Sequence, residues 1–374
     1  MKIGVMTFWW SKDNYGQLLQ CYALQKYLRD AGHDTYLIRY DSRNDYVKTP
    51  LWKKVVKAFN PVKLFNFFYY KVKKYKNKKT NTLRKFDSFR KHYIQQSEKV
   101  YYSYHELLED PPEADVYISG SDQVWNPDCI LFENTTNQVK AYFLDFGKSE
   151  TKRIAYAASF GKERVADNFI QEINPLLKKF NYVSVREKSG LNICQQCGVK
   201  AEWILDPTML LSAADYQALY AYESMPRIKE PYCFLYMLSN KCDFSIKTIY
   251  GWAERKSLEI IYVTGNLKYD TYKKIYATIP EWLYLIDKAK YVITNSFHCF
   301  VFSLIFQKNF GIIPLTRKYV GMNNRFDSLF EMFEIKQRFI DNSMTVLDTD
   351  IDWNKVDDRF KKIQDSCNLI THIQ

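Results

Sequence analysis

Glycine and proline are scarce, 12 and 11 in 374 residues, which excludes collagen-like and low-complexity architecture. Long hydrophobic runs are missing too. Residues 291–307 form a 17-residue stretch without Asp, Glu, Lys or Arg. Asn295, Ser296 and His298 sit inside it, so it fits a buried strand and helix rather than a membrane span. Residues 1–8 are too short for the apolar part of a signal peptide, and polar residues follow with no small-residue cleavage site. The eight cysteines are therefore expected to be reduced thiols in a cytoplasmic protein. Cys194-Gln-Gln-Cys197 has no second pair to complete a zinc site, and two core cysteines on one helix face account for it. Walker A, GxGxxG, HExxH and GxSxG sequences are absent, which removes the usual P-loop, dinucleotide, zinc-protease and serine-hydrolase signatures. Histidine is rare, five residues in all.

Apolar residues make up 47% and charged residues 26%, the balance of a folded globular chain. Aromatics reach 17%, with 30 Tyr and 25 Phe, so the core is ring-rich. The net charge of +12 is concentrated in one place. Residues 48–91 hold 15 Lys and Arg against one acid, Asp87, whereas the remainder carries 39 basic and 41 acidic residues. The same segment holds Trp52, Phe59, Phe65, Phe67 and Phe68. Rings beside lysines suit an interfacial helix pair on an anionic membrane surface. A solvated basic hairpin fits the same pattern. Nucleic acid is not expected as a partner, since no recognised nucleic-acid motif accompanies the patch.

Outside that segment, strands and helices alternate. Strand-like runs are expected at residues 2–8, 35–40, 114–120, 153–160, 182–186 and 203–205, then at 232–238, 259–264, 291–294 and 310–314. A helix is expected from about Tyr15 to Ala31, stopped by Gly32. Near-continuous apolar strands separated by helix-length segments indicate parallel sheets covered on both faces. The expectation is an α/β fold of two Rossmann-like domains, residues 1–225 and 226–350. The basic aromatic helical insertion at 48–91 lies in the first, and a C-terminal helix at 351–374 packs back across both.

Ligands of open α/β sheets sit beyond the carboxyl ends of the strands, and five polar segments fall there. Asn14-Tyr15-Gly16 opens a helix, whose N-terminal amides favour an anion or a hydroxyl-rich ligand. Gly120-Ser121-Asp122-Gln-Val-Trp125-Asn126 offers a carboxylate base, donors and a ring for a sugar; an N-capping Asp beside a core Trp is the alternative. Ser159 lies in a small-residue strand end. Arg186 follows an apolar strand and could bind phosphate or carboxylate with two parallel donors, or form an ion pair with Glu187 or Asp206. Asn295-Ser296-Phe-His298 places a hydroxyl and an imidazole at a helix N-terminus, a position suited to proton transfer.

Taken in order, Asn14-Tyr-Gly with Gln20 and Tyr22-Ala-Leu-Gln-Lys-Tyr-Leu, Gly120-Ser-Asp-Gln-Val-Trp-Asn, Tyr156-Ala-Ala-Ser-Phe-Gly, Val183-Ser-Val-Arg-Glu, Leu205-Asp-Pro-Thr, Ile293-Thr-Asn-Ser-Phe-His and Asn324-Arg-Phe resemble the polysaccharide pyruvyl transferase family over nearly the whole chain. The resemblance implies a GT-B-like arrangement with the site in the interdomain cleft. It also implies transfer of the pyruvyl unit of phosphoenolpyruvate to a sugar, commonly as a ketal across two hydroxyls. Two residues depart from the family pattern: Cys299 follows the histidine where Gly is usual, and Ser296 stands where some branches carry an arginine.

On that reading His298 is the acid, and Asp122 is the base or orients the acceptor. Arg186, Asn295, Ser296, Arg325, Arg317 and Lys318 face the donor, and Asn14, Tyr15, Gly16, Ser121, Trp125, Asn126 and Ser159 face the acceptor. No metal and no cofactor beyond phosphoenolpyruvate as donor are expected. The acceptor would be a sugar on a polyprenyl diphosphate, with the enzyme peripheral on the inner face of the cell membrane through residues 48–91. A nucleotide-sugar glycosyltransferase of the same fold and a non-catalytic basic binding protein are the alternatives.

Overall fold

Apolar and β-branched runs become the central strands of two parallel sheets. The computed structural model describes residues 1–42, 79–130, 136–238, 241–265, 270–366 and 369–374. Residues 48–78 of the helical insertion expected at 48–91, with its five named rings, therefore lie outside the described residues. The first sheet contains β1 (Lys2–Met6), β2 (Asp34–Tyr40), β3 (Gln96–Tyr101), β4 (Val116–Ser119), β5 (Lys152–Ala158), β6 (Tyr182–Val185) and β7 (Glu202–Trp203). Their spatial order is β3-β2-β1-β4-β5-β6-β7. The second sheet contains β8 (Tyr232–Met237), β9 (Glu259–Thr264), β10 (Tyr291–Thr294) and β11 (Asn309–Ile312), ordered β11-β10-β8-β9. All pairs are parallel, from Lys2 opposite Asp34 to Thr294 opposite Ile312. This is the α/β architecture of two Rossmann-like domains.

Each sheet has a place where its chain changes direction. In the first it lies between β1 and β4, and in the second between β8 and β10. Open parallel sheets bind ligands at such points, because the outgoing loops diverge and leave a crevice. The loops after all four strands line one cleft, described below. β3 is the strand that the sequence pattern does not announce. Its residues Gln96-Ser-Glu-Lys-Val-Tyr are polar and mostly outside the core, as an edge strand permits.

Helix Tyr15–Asp30 is amphipathic by sequence yet buries 12 of its 16 residues. Its first-sheet side packs on β2, and its other side enters the apolar cluster of the second domain. There the Tyr15 ring stacks on Trp282 at 5.0 Å, and its hydroxyl donates to the Ala277 carbonyl at 2.7 Å. One core therefore joins the two sheets and sets the separation of their loops. The end of the basic segment belongs to the same core. Arg84, Phe86, Phe89 and Arg90 are buried, so this part of residues 48–91 faces the protein rather than a lipid surface.

The chain returns to the first domain at its end. Helix Trp353–Ser366 stacks Phe360 near Phe333, and its Gln364 donates to the Met209 carbonyl. Helix Leu369–Ile373 then lies beside β5, with Lys152 donating to the carbonyls of His372 and Ile373. Ile373 is fully buried among Ile3, Val5 and Ile154. Ile373→Ala removes three methyl or methylene groups from that cluster and is expected to cost about 2–4 kcal/mol. A lowered melting temperature checks it; an unchanged one would mean that the terminal helix contributes no packing.

Candidate active site

The cleft between the sheets has a volume of about 570 Å³. Trp10 to Asn14 reach it from the loop after β1, and Asp122 and Gln123 from the loop after β4. Leu238 and Lys241 come from the loop after β8, and Asn295 to His298 from the turn after β10. Arg325 closes the lining from helix Asn324–Met332. The structure thus brings Asn14, Asp122, Asn295, Ser296, His298 and Arg325 together around one space.

Beneath it lies a buried ionic centre. Asp206 follows β7 in Leu205-Asp-Pro-Thr, where Pro207 starts a short 3-10 turn that Asp206 caps. One carboxylate oxygen accepts from the Thr208 amide at 3.0 Å and from its hydroxyl at 2.6 Å. The other accepts from Ser121 Oγ at 2.8 Å and Arg186 Nη1 at 3.0 Å, and His298 Nε2 stands 3.5 Å away. Burial alone would push this carboxyl up. The His298 charge, the Arg186 guanidinium and the Thr208 hydroxyl more than offset it and hold the group below the usual carboxylate range.

His298 sits in the first turn of helix Phe297–Ile305, which Ser296 caps by accepting from the Cys299 amide. The imidazole lies so close to helix Tyr15–Asp30 that a Cβ at Gly16 would fall 2.2 Å from the ring. Only glycine lets the two domains approach to this distance. Nε2 is sealed from solvent and faces Asp206, the Nδ1 edge of the ring packs against Gly16, and the residue lines the cleft. Asp122 stands across the cleft at φ +75°, a conformation that costs a non-glycine residue energy and recurs at functional sites. Its carbonyl accepts from the Ser159 amide, which holds the turn in place.

Arg325 supplies the cleft's unmatched charge. It is 7% exposed, and its Nε donates to the Met322 carbonyl. Its two terminal nitrogens have no protein partner among the described residues. Burial, with the like charge of Arg186, pushes the guanidinium down to about 10, so it remains a cation at neutral pH. A buried cation with an open fork, beside a helix N-terminus, is built for an anion.

Other expected site residues stand elsewhere, for identifiable reasons. Arg186 does not line the cleft. It forms the Asp206 ion pair left open by its sequence, and its guanidinium lies 4.3 Å from the centre of the Phe297 ring. Glu187 turns away to accept from the Gly161 amide. Ser121 is buried as a donor to Asp206, and Gly16 makes room for His298 rather than touching the cleft. Trp125 is fully buried and stacked on Phe143 at 4.7 Å, so it offers no face to a sugar. Tyr15 is likewise core. Ser159 is buried, with Oγ accepting from the Gly161 amide. Asn126 lines a neighbouring groove of about 580 Å³ that shares Gln123, Lys241 and Met322 with the cleft. Arg317 is exposed and paired with Asp243 at 2.7 Å. The Lys318 side chain lies outside the described residues.

The sequence reading missed Asp206 as a centre, although an acid between a strand and Pro207 was visible. It also missed Trp10 and Lys241, which sit at strand ends that the positional rule covers. Asp206→Asn would leave Arg186 and His298 without their counter-charge, at a cost of about 3–5 kcal/mol near neutral pH. Because the folded carboxyl is held low, its stabilisation is full above the unfolded pKa of about 4 and is lost as pH falls below that. The gap in melting temperature between wild type and Asp206→Asn should narrow as pH falls from 6 to 3. A constant gap would show that the buried group is not ionised.

Several solved structures are similar to this chain over nearly its whole length. A UDP-GlcNAc 2-epimerase from Methanocaldococcus jannaschii, solved with UDP-GlcNAc and UDP, is 14% identical with a TM-score of 0.46, over 97% of this chain and 94% of its own. A Streptomyces glycosyltransferase complexed with thymidine diphosphate is 9% identical with a TM-score of 0.42, over 99% of both chains. No curated protein sequence matches the chain. The family model for polysaccharide pyruvyl transferase matches residues 14–315. That span runs from the Asn14 turn to the last cleft loop and contains Asp122, Arg186, Asp206 and His298, and on this match the chain belongs to the polysaccharide pyruvyl transferase family.

Proposed function

We propose that the protein moves the pyruvyl unit of phosphoenolpyruvate onto a sugar of a polysaccharide precursor, forming a pyruvate ketal and releasing phosphate. The observation that carries this reading is the open guanidinium of Arg325, buried in the same cleft as His298 and Asp122. Phosphoenolpyruvate brings two anionic groups. Arg325 and the N-terminus of helix Phe297–Ile305 answer them, with Asn295 and Ser296 beside that turn.

Protonated His298 delivers a proton to the C3 methylene, which becomes the methyl group and leaves an oxocarbenium-like centre at C2. One sugar hydroxyl adds to C2 as Asp122 takes its proton. The C2–O bond to phosphate then breaks and a second hydroxyl adds, so the sugar loses two protons in all. One of them replaces the proton delivered to C3, and the other leaves with phosphate. This balance needs no oxidant and no resident cofactor. Asp206 acts through its neighbours: with Arg186 it fixes the ring from below.

His298→Ala is expected to fold and to lose on the order of 10²–10⁴ in turnover, the range of a general acid. Arg325→Ala should raise the KM for phosphoenolpyruvate roughly 10- to 100-fold, as loss of charge-assisted hydrogen bonds does. Phosphate release from phosphoenolpyruvate, with a pyruvyl mass increment on the sugar, measures both. Turnover of a nucleotide sugar without phosphoenolpyruvate would instead establish the glycosyltransferase alternative.

The acceptor is proposed to be a sugar carried on a polyprenyl diphosphate at the inner face of the membrane, with the basic segment holding the enzyme there. Among the described residues no helix is long and apolar enough to cross a membrane. Ten lysines and no acid in residues 48–78 support surface attraction, at about 1 kcal/mol per lysine near an anionic bilayer. The protein should sediment with anionic vesicles, less with neutral ones, and partly release in high salt. Equal partitioning to both would favour the solvated hairpin.

A further inference from the structure

We propose that Trp10 is the platform on which the acceptor's sugar ring stacks. The proposal rests on the pyruvyl-transfer reading and gives its acceptor side a location. Two aromatic side chains line the cleft among the described residues, Trp10 and Phe297. Phe297 is 4% exposed and covered by the Arg186 guanidinium. Trp10 is 45% exposed, which leaves it as the ring face that a ligand can reach. Its indole N–H has no protein partner among the described residues, so a hydroxyl can accept from it.

The exposure is built rather than accidental. Trp9 packs against the main apolar cluster and donates its indole N–H to the Tyr40 carbonyl at 2.9 Å. On either side of Trp10, the buried Arg90 holds the backbone: Nη1 donates to the Trp9 carbonyl at 3.1 Å and to the Ser11 carbonyl at 2.7 Å. The Ser11 amide donates to Gln17, and Ser11 Oγ accepts from the Asn14 amide. The Trp10 ring also leans on Phe8, centroid to centroid 5.1 Å. A rigid indole left half in water at the rim of a polar cleft retains apolar area that folding did not cover.

A pyranose matches this surface. The C–H groups of one sugar face lie flat on the indole, and hydroxyls at the ring edge turn toward Asp122 and Gln123, which line the same space. Asp122 could then take a proton from a hydroxyl that stacking has already oriented. The ring that the sequence pattern assigned to Trp125 is supplied by the loop after β1 instead.

The test uses the full-length protein with methyl β-D-galactopyranoside, methyl β-D-glucopyranoside and methyl α-D-mannopyranoside as probes. Phosphoenolpyruvate is titrated separately by calorimetry. Saturation-transfer NMR should show contact with one face of at least one sugar. Trp10→Ala should weaken that sugar's affinity roughly 3- to 10-fold, the range of aromatic contacts, without changing phosphoenolpyruvate affinity. Trp10→Phe keeps a ring and should restore most of the binding, which separates stacking from a folding defect. Unchanged sugar affinity in Trp10→Ala, no transfer to any of the three sugars in the wild type, or an equal loss of phosphoenolpyruvate binding would overturn the proposal. Phosphoenolpyruvate binding without sugar contact at Trp10 leaves the pyruvyl reading standing. Sugar contact that depends on Trp10, in a chain that does not bind phosphoenolpyruvate, supports the platform and removes that reading.

Discussion

The carboxylate of Asp206 is the constraint on which the cleft depends. It is buried, so its charge is tolerable only because Arg186, Ser121 and Thr208 bond to it and His298 faces it. Asp206 and Arg186 belong to the first domain, whereas His298 and the Phe297 ring under Arg186 belong to the second. The ionic centre is therefore also a latch between domains. Its geometry holds Nε2 of the imidazole toward Asp206 and the opposite edge of the ring against Gly16. Removing the carboxylate would leave the buried Arg186 guanidinium without its counter-charge, which is why such centres fail as units rather than by parts.

Two further constraints bring the latch together. The apolar core around helix Tyr15–Asp30 joins the sheets, with Tyr15 stacked on Trp282 as its centre. Gly16, one residue on, removes the Cβ that would collide with His298. A single turn thus sets both the separation of the domains and the approach of the catalytic ring. With the sheets held in this way, both points of strand reversal open on the same space. The cleft accordingly collects polar residues from loops far apart in sequence.

Much of this was legible in the sequence because buried parallel strands appear as short apolar runs, and ligand-facing residues fall just after them. Asn14, Asp122, Asn295, Ser296 and His298 were accessible by that rule, and Arg325 through the family resemblance. What escaped depended on choices made in three dimensions. Arg186 could face a ligand or pair with an acid, and only the packing of the Asp206 turn decides between them. The Gly120-to-Asn126 segment announces a ring after a strand but not that Trp125 turns inward onto Phe143. β3 was invisible because an edge strand needs little apolar patterning. Arg317 has the right charge, but Asp243 neutralises it at the surface.

The end of the basic segment ties these observations to the wider surface. Arg84 donates to the Thr264 carbonyl, Arg90 holds the Trp10 loop, and Lys12 pairs with Asp87 at 2.6 Å. The segment proposed to meet the membrane thus ends in the cleft wall. The most direct measurement is a structure of the chain with phosphoenolpyruvate bound. The account predicts an anionic group of the donor on the terminal nitrogens of Arg325, with the C3 methylene within about 3 Å of the His298 ring. A donor bound in the neighbouring groove, or with C3 turned away from His298, would contradict it.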